Sequence, residues 1–236
     1  SLFPGHYQPK VPADLGYYDL RVPETRQAQA DMAREYGIEG FCYWHYWFGN
    51  GKRLLERPFN EVLASGKPDF PFCLAWANES WKGFFHGVKT KQALITQLYP
   101  GEDDYIAHFE TVLPAFKDPR YITVDDKPVF MIYQPFQHPQ IKEFMALWQK
   151  LAMNNGLKGI FFIGQTYHLT EERAELMNMG FDAINVTRLF DFEKKAKFLY
   201  KCAKWRHRIF RCPKIMEYKK VSRFFVGDEE YAPEII

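Results

Sequence analysis

Apolar runs of strand length alternate along the chain with stretches of helical periodicity, and this alternation narrows the fold more than any other feature. A helix over residues 23–36 opens on Pro23 and Glu24 and stops at Gly37, and the aromatic run 40–48 follows as a strand. Helix 54–64, strand 70–77, helix 103–116, strand 129–133, helix 141–154, strand 160–163, helix 170–179 and strand 182–186 continue the series. Thr170, with Leu169 before it and Glu171 and Glu172 after it, starts the last helix as a partial capping box. Such a series predicts an α/β fold with a parallel sheet built from βαβ units. No G-x-G-x-x-G follows a strand and no phosphate-loop pattern occurs, so the signatures of a nucleotide-binding doubly wound sheet are missing and a (β/α)8 barrel is favoured. A complete barrel takes eight strands and about 250 residues. The series supplies five strands in 236 residues. We therefore expect a partial barrel over residues 1–190, without its first and last strands. A basic helical segment and the start of the next barrel element follow over 191–236.

Composition adds one pointer. Phe, Tyr and Trp together make up 18% of the chain, an excess that suits either a bulky core or a cleft that stacks on sugar rings. The net charge of +2 conceals a polarity: twelve Lys and Arg fall between Lys194 and Arg223 against Glu217 alone, which leaves an acidic body. We read the basic stretch first as a solvated helix whose long side chains cover apolar surface. Peripheral contact with an anionic membrane or a lipid-linked glycan is the functional option. No nucleic-acid recognition motif accompanies it. Cys42, Cys73, Cys202 and Cys212 show neither C-x-x-C pairing nor zinc spacing, so they are read as buried thiols in a reducing compartment, with no metal and no cofactor. No apolar run reaches the length of a membrane span and no signal peptide opens the sequence, which gives a cytoplasmic reading, peripheral at the inner membrane if the basic segment docks.

In a barrel the C-terminal ends of the strands line the active site. That rule selects Tyr43, His45, Tyr46 and Trp47 from the aromatic run, and Trp76, Asn78, Glu79 and Trp81 after the second strand. Further along it selects Tyr133, Gln165 and Arg188, with Tyr167, Asn185 and Thr187 also at strand ends. Glu79, between an amide and two indoles, is the candidate catalytic carboxylate, able to act as general acid, general base or nucleophile. The others are candidate sugar-binding groups. Asp125 and Asp126 read as turn formers, and Glu102, Asp103 and Asp104 as the acidic first turn of a helix.

Several long motifs carry a resemblance. Phe3-Pro4-Gly5-His6-Tyr7-Gln8-Pro9, Gly16-Tyr17-Tyr18-Asp19-Leu20-Arg21, the aromatic run 40–48, Arg53-Leu54-Leu55-Glu56-Arg57-Pro58-Phe59 and Pro71-Phe72-Cys73-Leu74-Ala75-Trp76-Ala77-Asn78-Glu79-Ser80-Trp81 closely resemble the WbsX-type glycosyltransferase-like family. That family is related to glycoside hydrolase family 99, endo-acting α-mannosidases and α-mannanases on a (β/α)8 barrel. The resemblance implies a bacterial carbohydrate-active enzyme of surface-polysaccharide (O-antigen or lipopolysaccharide) metabolism, acting on a glycan of mannose or O-antigen type. It implies that Glu79 assists deprotonation of a sugar 2-hydroxyl, and it matches Tyr133 to a strand-end tyrosine near the cleft. Members carry an upstream strand with an F-T-E-W-type segment and a later N-E-W-x-E-G-type segment with further catalytic carboxylates; neither occurs in this sequence. Glycosyl transfer and retaining hydrolysis both remain open at this point. So does a non-catalytic glycan-binding or scaffold role in polysaccharide assembly.

Overall fold

The structure is a computed structural model that describes residues 12–83 and 93–187, together with Lys201, Trp205, Arg208 and Ile209. One compact unit spans Tyr17–Asn185, and a second combines residues 1–16 with 186–236. The first unit holds helices α1 (Pro23–Glu35), α2 (Arg57–Ser65), α3 (Glu102–Phe116), α4 (Ile141–Asn154) and α5 (Leu169–Met179). Its strands are β1 (Phe41–His45), β2 (Phe72–Trp76), β3 (Trp81–Lys82), β4 (Ala93–Ile95), β5 (Thr123–Val124), β6 (Lys127–Ile132) and β7 (Phe161–Thr166), and β8 (Ala183–Val186) closes the series.

The main sheet has the order β1-β2-β6-β7-β8, with β1, β2, β6 and β7 paired in parallel. The order follows the sequence without a reversal, so there is no topological switch point of the doubly wound kind. Right-handed crossovers between such neighbours place the helices on one face of the sheet. On that face Trp148 of α4 packs against Phe130 and Phe162, and Phe116 of α3 packs against Phe130. Phe72, Leu74, Trp76, Phe130, Ile132 and Phe162 are all sealed there.

Register defines the other face. Trp44 lies opposite Ala75, Ala75 opposite Met131, and Met131 opposite Ile163. Side chains alternate across a strand, so the set Cys42, Trp44, Cys73, Ala75, Met131 and Ile163 shares the face turned away from the helices.

Two features were not anticipated from sequence. β3 and β4 form a short antiparallel hairpin at the C-terminal end of β2, and β5 pairs antiparallel with β6. In the second pair Val124 meets Lys127, so Asp125 and Asp126 are the two residues of a tight hairpin turn, at φ 51° and 61°. Left-handed backbone at both turn positions is what a type I′ hairpin requires, and Asp tolerates it. The acidic first turn of α3 is present as expected. α5 starts one residue earlier than expected, at Leu169, so Thr170 lies inside it and does not cap it; His168 holds the N-cap position without a side-chain cap bond. The Thr166 hydroxyl at the end of β7 accepts the His168 N–H at 2.9 Å and also bonds Glu172. Of the thiols, Cys73 is buried but Cys42 is exposed, which corrects the expectation for Cys42; Cys202 and Cys212 lie outside the described residues. No helix among the described residues is long and apolar enough to cross a membrane.

Candidate functional site

The end of β2 is held open in a fixed shape. Beyond Trp76 the Ala77 N–H donates to His45 O at 2.9 Å and the Tyr133 N–H to Trp76 O at 3.0 Å, so β1, β2 and β6 stay paired to their ends. Asn78 then clamps the next step. Its Nδ2 donates to Gln134 O at 2.9 Å and to the Tyr99 hydroxyl at 3.1 Å, while its Oδ1 accepts the Gln134 N–H at 2.8 Å. At 0% exposure the amide is engaged wholly by the protein, and it fixes the backbone that presents Glu79.

Glu79 lies near enough to two phenols, Tyr46 and Tyr133, for its charge to act on both. Burial first, and the Glu79 charge in addition, push the ionisation of both Tyr46 and Tyr133 to higher pH. The Tyr133 hydroxyl also shares a 2.9 Å hydrogen bond with that of Tyr167, which raises it further. Both tyrosines therefore keep their protons in the ordinary pH range and remain O–H donors beside a carboxylate. Around them stand indole walls. Trp44, 50% exposed, reaches across the small Ala75 to meet Tyr133 edge to face at 5.4 Å. Trp81, carried by the β3–β4 hairpin, meets Tyr46 at 5.2 Å and Phe48 at 5.6 Å. At the far side Asn185 donates to Gln165 Oε1 at 3.2 Å, with Gln165 mostly buried. A small cavity lined by Trp44, Tyr46, Arg53 and Glu56 is also lined by His45, Phe59 and Leu74, so it reaches the helix side of the sheet.

The structure thus brings Tyr46, Glu79, Trp81, Tyr133 and Gln165 to one face and separates them from the rest of the expected set. Tyr43 packs on Phe59 and Phe72, on the helix side. Trp47 and Trp76 are core residues, 3% and 1% exposed, with their indole N–H groups committed to Asp104 Oδ2 and to Trp47 O. His45 is buried too, with its Nε2 2.8 Å from Nε2 of His108. One ring donates and the other accepts, so the pair is neutral; burial drives His45 down to about 3 and His108 well below its ordinary value. These four side chains line the core and not the open face. Arg188 lies outside the described residues. Sequence reasoning passed over Trp44, and the signal that finds it is parity: it sits two residues before Tyr46 and one away from Tyr43 and His45. Among the described residues no three His, Cys, Asp or Glu gather as a metal site.

The chain matches the family described as Glycosyltransferase WbsX over residues 1–235. It belongs to that family. A curated relative, WxcX of Xanthomonas campestris pv. campestris, described as an uncharacterized protein, is 39% identical over 183 residues in strain B100 and in strain ATCC 33913. The match covers 77% of this WbsX-family chain and 25% of the relative, so the chain spans about a quarter of the length of the curated relatives it matches. Among solved structures, the GH99 endo-α-mannosidase of Bacteroides thetaiotaomicron superposes with a TM-score of 0.53 at 15% identity, covering 88% of this chain and 60% of that one. The same enzyme in complex with bis-tris-propane gives a TM-score of 0.51 at 15% identity, over 83% and 56% of the two chains. At that identity the likeness carries the fold alone.

Proposed function

We propose that this WbsX-family chain is the glycan-binding and catalytic part of a carbohydrate-active enzyme of bacterial surface-polysaccharide metabolism, and that its sheet is one wall of a (β/α)8 barrel. The unreversed strand order and the fold likeness support the barrel. The observation that carries the functional reading is the single-face constellation of Glu79, Tyr46 and Tyr133 between the indoles of Trp44 and Trp81. Indole faces stack on pyranose rings, neutral phenols donate to sugar oxygens, and a carboxylate takes a hydroxyl proton.

In this reading Glu79 accepts the proton of a sugar hydroxyl as that oxygen attacks the anomeric carbon, and the phenol pair holds the carboxylate and the ring oxygens in place. The substrate is a mannose-type or O-antigen oligosaccharide, and transfer or retaining hydrolysis follows from the acceptor admitted. Tyr43, His45, Trp47, Trp76 and Asn78 support the site from behind. Arg188 we assign to the sugar-binding rim on its strand-end position alone. The segment between Lys194 and Arg223, in which Lys201, Trp205, Arg208 and Ile209 are helical and exposed, is assigned to peripheral contact with anionic membrane or lipid-linked glycan at the cytoplasmic face.

The second reading, a non-catalytic glycan binder, is favoured by the half-exposed Trp44, which would serve stacking without chemistry. Calorimetric titration of the full-length protein with mannose-containing and O-antigen oligosaccharides, run beside product analysis, separates the two. The enzyme reading expects binding with turnover. Binding without turnover supports the second reading, and no binding to either series contradicts both.

A further inference from the structure

Cys42 and Cys73 lie directly opposite one another across β1 and β2. Paired positions on neighbouring parallel strands put their side chains on the same side, and here that is the open face, two residues before Trp44. Cys42 is exposed and Cys73 is buried. The neighbouring Cys73 holds Cys42 below the ordinary thiol value, and Cys42 together with burial pushes Cys73 up. Cys42 therefore gives up its proton more readily than Cys73. Adjacent strands run about 4.8 Å apart, inside the roughly 4.4–6.8 Å that separates the Cα atoms of disulfide-bonded cysteines.

We propose that Cys42 and Cys73 form a redox-active dithiol, Cys42 as the attacking sulfur and Cys73 as the resolving one, which reversibly ties β1 to β2 on the open face below Trp44 and Tyr46. An accessible thiolate beside a second thiol is the arrangement that reacts and then resolves. The reaction partner is a small-molecule disulfide. The Cys42 thiolate attacks one of its sulfurs, forms a mixed disulfide and expels one thiolate. Cys73 then gives up its proton, attacks the Cys42 sulfur and expels the second. Two protein thiols are oxidised to one disulfide, and the small disulfide is reduced to two thiols that carry away the two protons.

The test uses the full chain with Cys202→Ser and Cys212→Ser, treated with glutathione disulfide, quenched by alkylation and mapped by mass spectrometry. The expected product is a Cys42–Cys73 cross-linked peptide, two hydrogens lighter than the reduced pair and recovered by dithiothreitol. Adding Cys73→Ser is expected to leave glutathione on Cys42 and to slow Cys42 alkylation at neutral pH by about three- to tenfold. Two results overturn the proposal: glutathione retained on Cys42 while Cys73 is present, or both thiols left free under conditions that oxidise the urea-unfolded chain.

Discussion

Glu79→Gln is expected to lower turnover by the full-length enzyme about 10³-fold, equivalent to roughly 4 kcal/mol of transition-state stabilisation, while glycan affinity and melting temperature stay near the parent values. The substitution keeps the shape and hydrogen-bonding reach of the side chain and removes its charge and basicity. Asn78 fixes the local backbone through Gln134 and Tyr99, and Trp44 and Trp81 are held by Tyr133 and by Tyr46 with Phe48. Binding should therefore survive. Steady-state kinetics on the variant decide the matter, and turnover within threefold of the parent would remove Glu79 from the chemistry.

Acidification is expected to destabilise the protein by roughly 4 kcal/mol between pH 7.5 and pH 5 from two histidines alone. Burial lowers His45 to about 3, with Arg53 adding to the effect, and lowers His138 to about 4. In the unfolded chain both titrate near 6.5. Between those values the unfolded state binds the extra protons, so stability is full above about pH 6.5 and falls as pH drops through the interval. At pH 5 each group lies about 1.5 units below its unfolded value, worth about 2 kcal/mol at about 1.4 kcal/mol per unit. His108 acts in the same direction. A loss of this size is a large share of the 5–15 kcal/mol typical of a domain. The carboxylates of Asp118 and Asp126, held low by Arg120 and Lys158, withdraw their support only below about pH 4. Urea unfolding at pH 7.5 and 5.0 measures the difference. His138→Asn keeps an acceptor for the Gln140 N–H, now bonded to His138 Nδ1, and should remove about half of the slope assigned to the two histidines. A stability that stays flat from pH 7.5 to 5 would contradict the buried neutral cluster.

The course of the fold was readable because its punctuation is local. Pro23, Gly37, Gly66 and Gly180 mark helix ends that the structure places within a residue or two of expectation. What the sequence hid was which side of each strand faces outward. β2 is buried at every one of its five residues, so no polar alternation reveals its parity. β1 is aromatic at nearly every position, so Tyr43, Trp44, His45, Tyr46 and Trp47 look equivalent until register with β2 sorts them. Strand-end indoles compounded the ambiguity, because Trp47 and Trp76 satisfy their N–H groups inside the protein, through Asp104 and a backbone carbonyl that lie far off in sequence. The β3–β4 hairpin that carries Trp81 was invisible for another reason: a pair of strands two and three residues long leaves no periodicity to detect.

Tyr43 and Trp44 are adjacent in sequence and face opposite ways, so together they test whether the open face is the glycan site. Titration of the parent, Trp44→Ala and Tyr43→Ala forms of the full-length protein with the same oligosaccharide, with unfolding measured in parallel, gives the answer. Trp44→Ala is expected to weaken binding by at least about tenfold, the loss of one stacked ring, with stability unchanged. Tyr43→Ala is expected to leave affinity intact and to cost about 2–3 kcal/mol of stability, because its ring fills the space between Phe59 and Phe72. Parent-like affinity in Trp44→Ala, or weakened binding at unchanged stability in Tyr43→Ala, would place the glycan elsewhere.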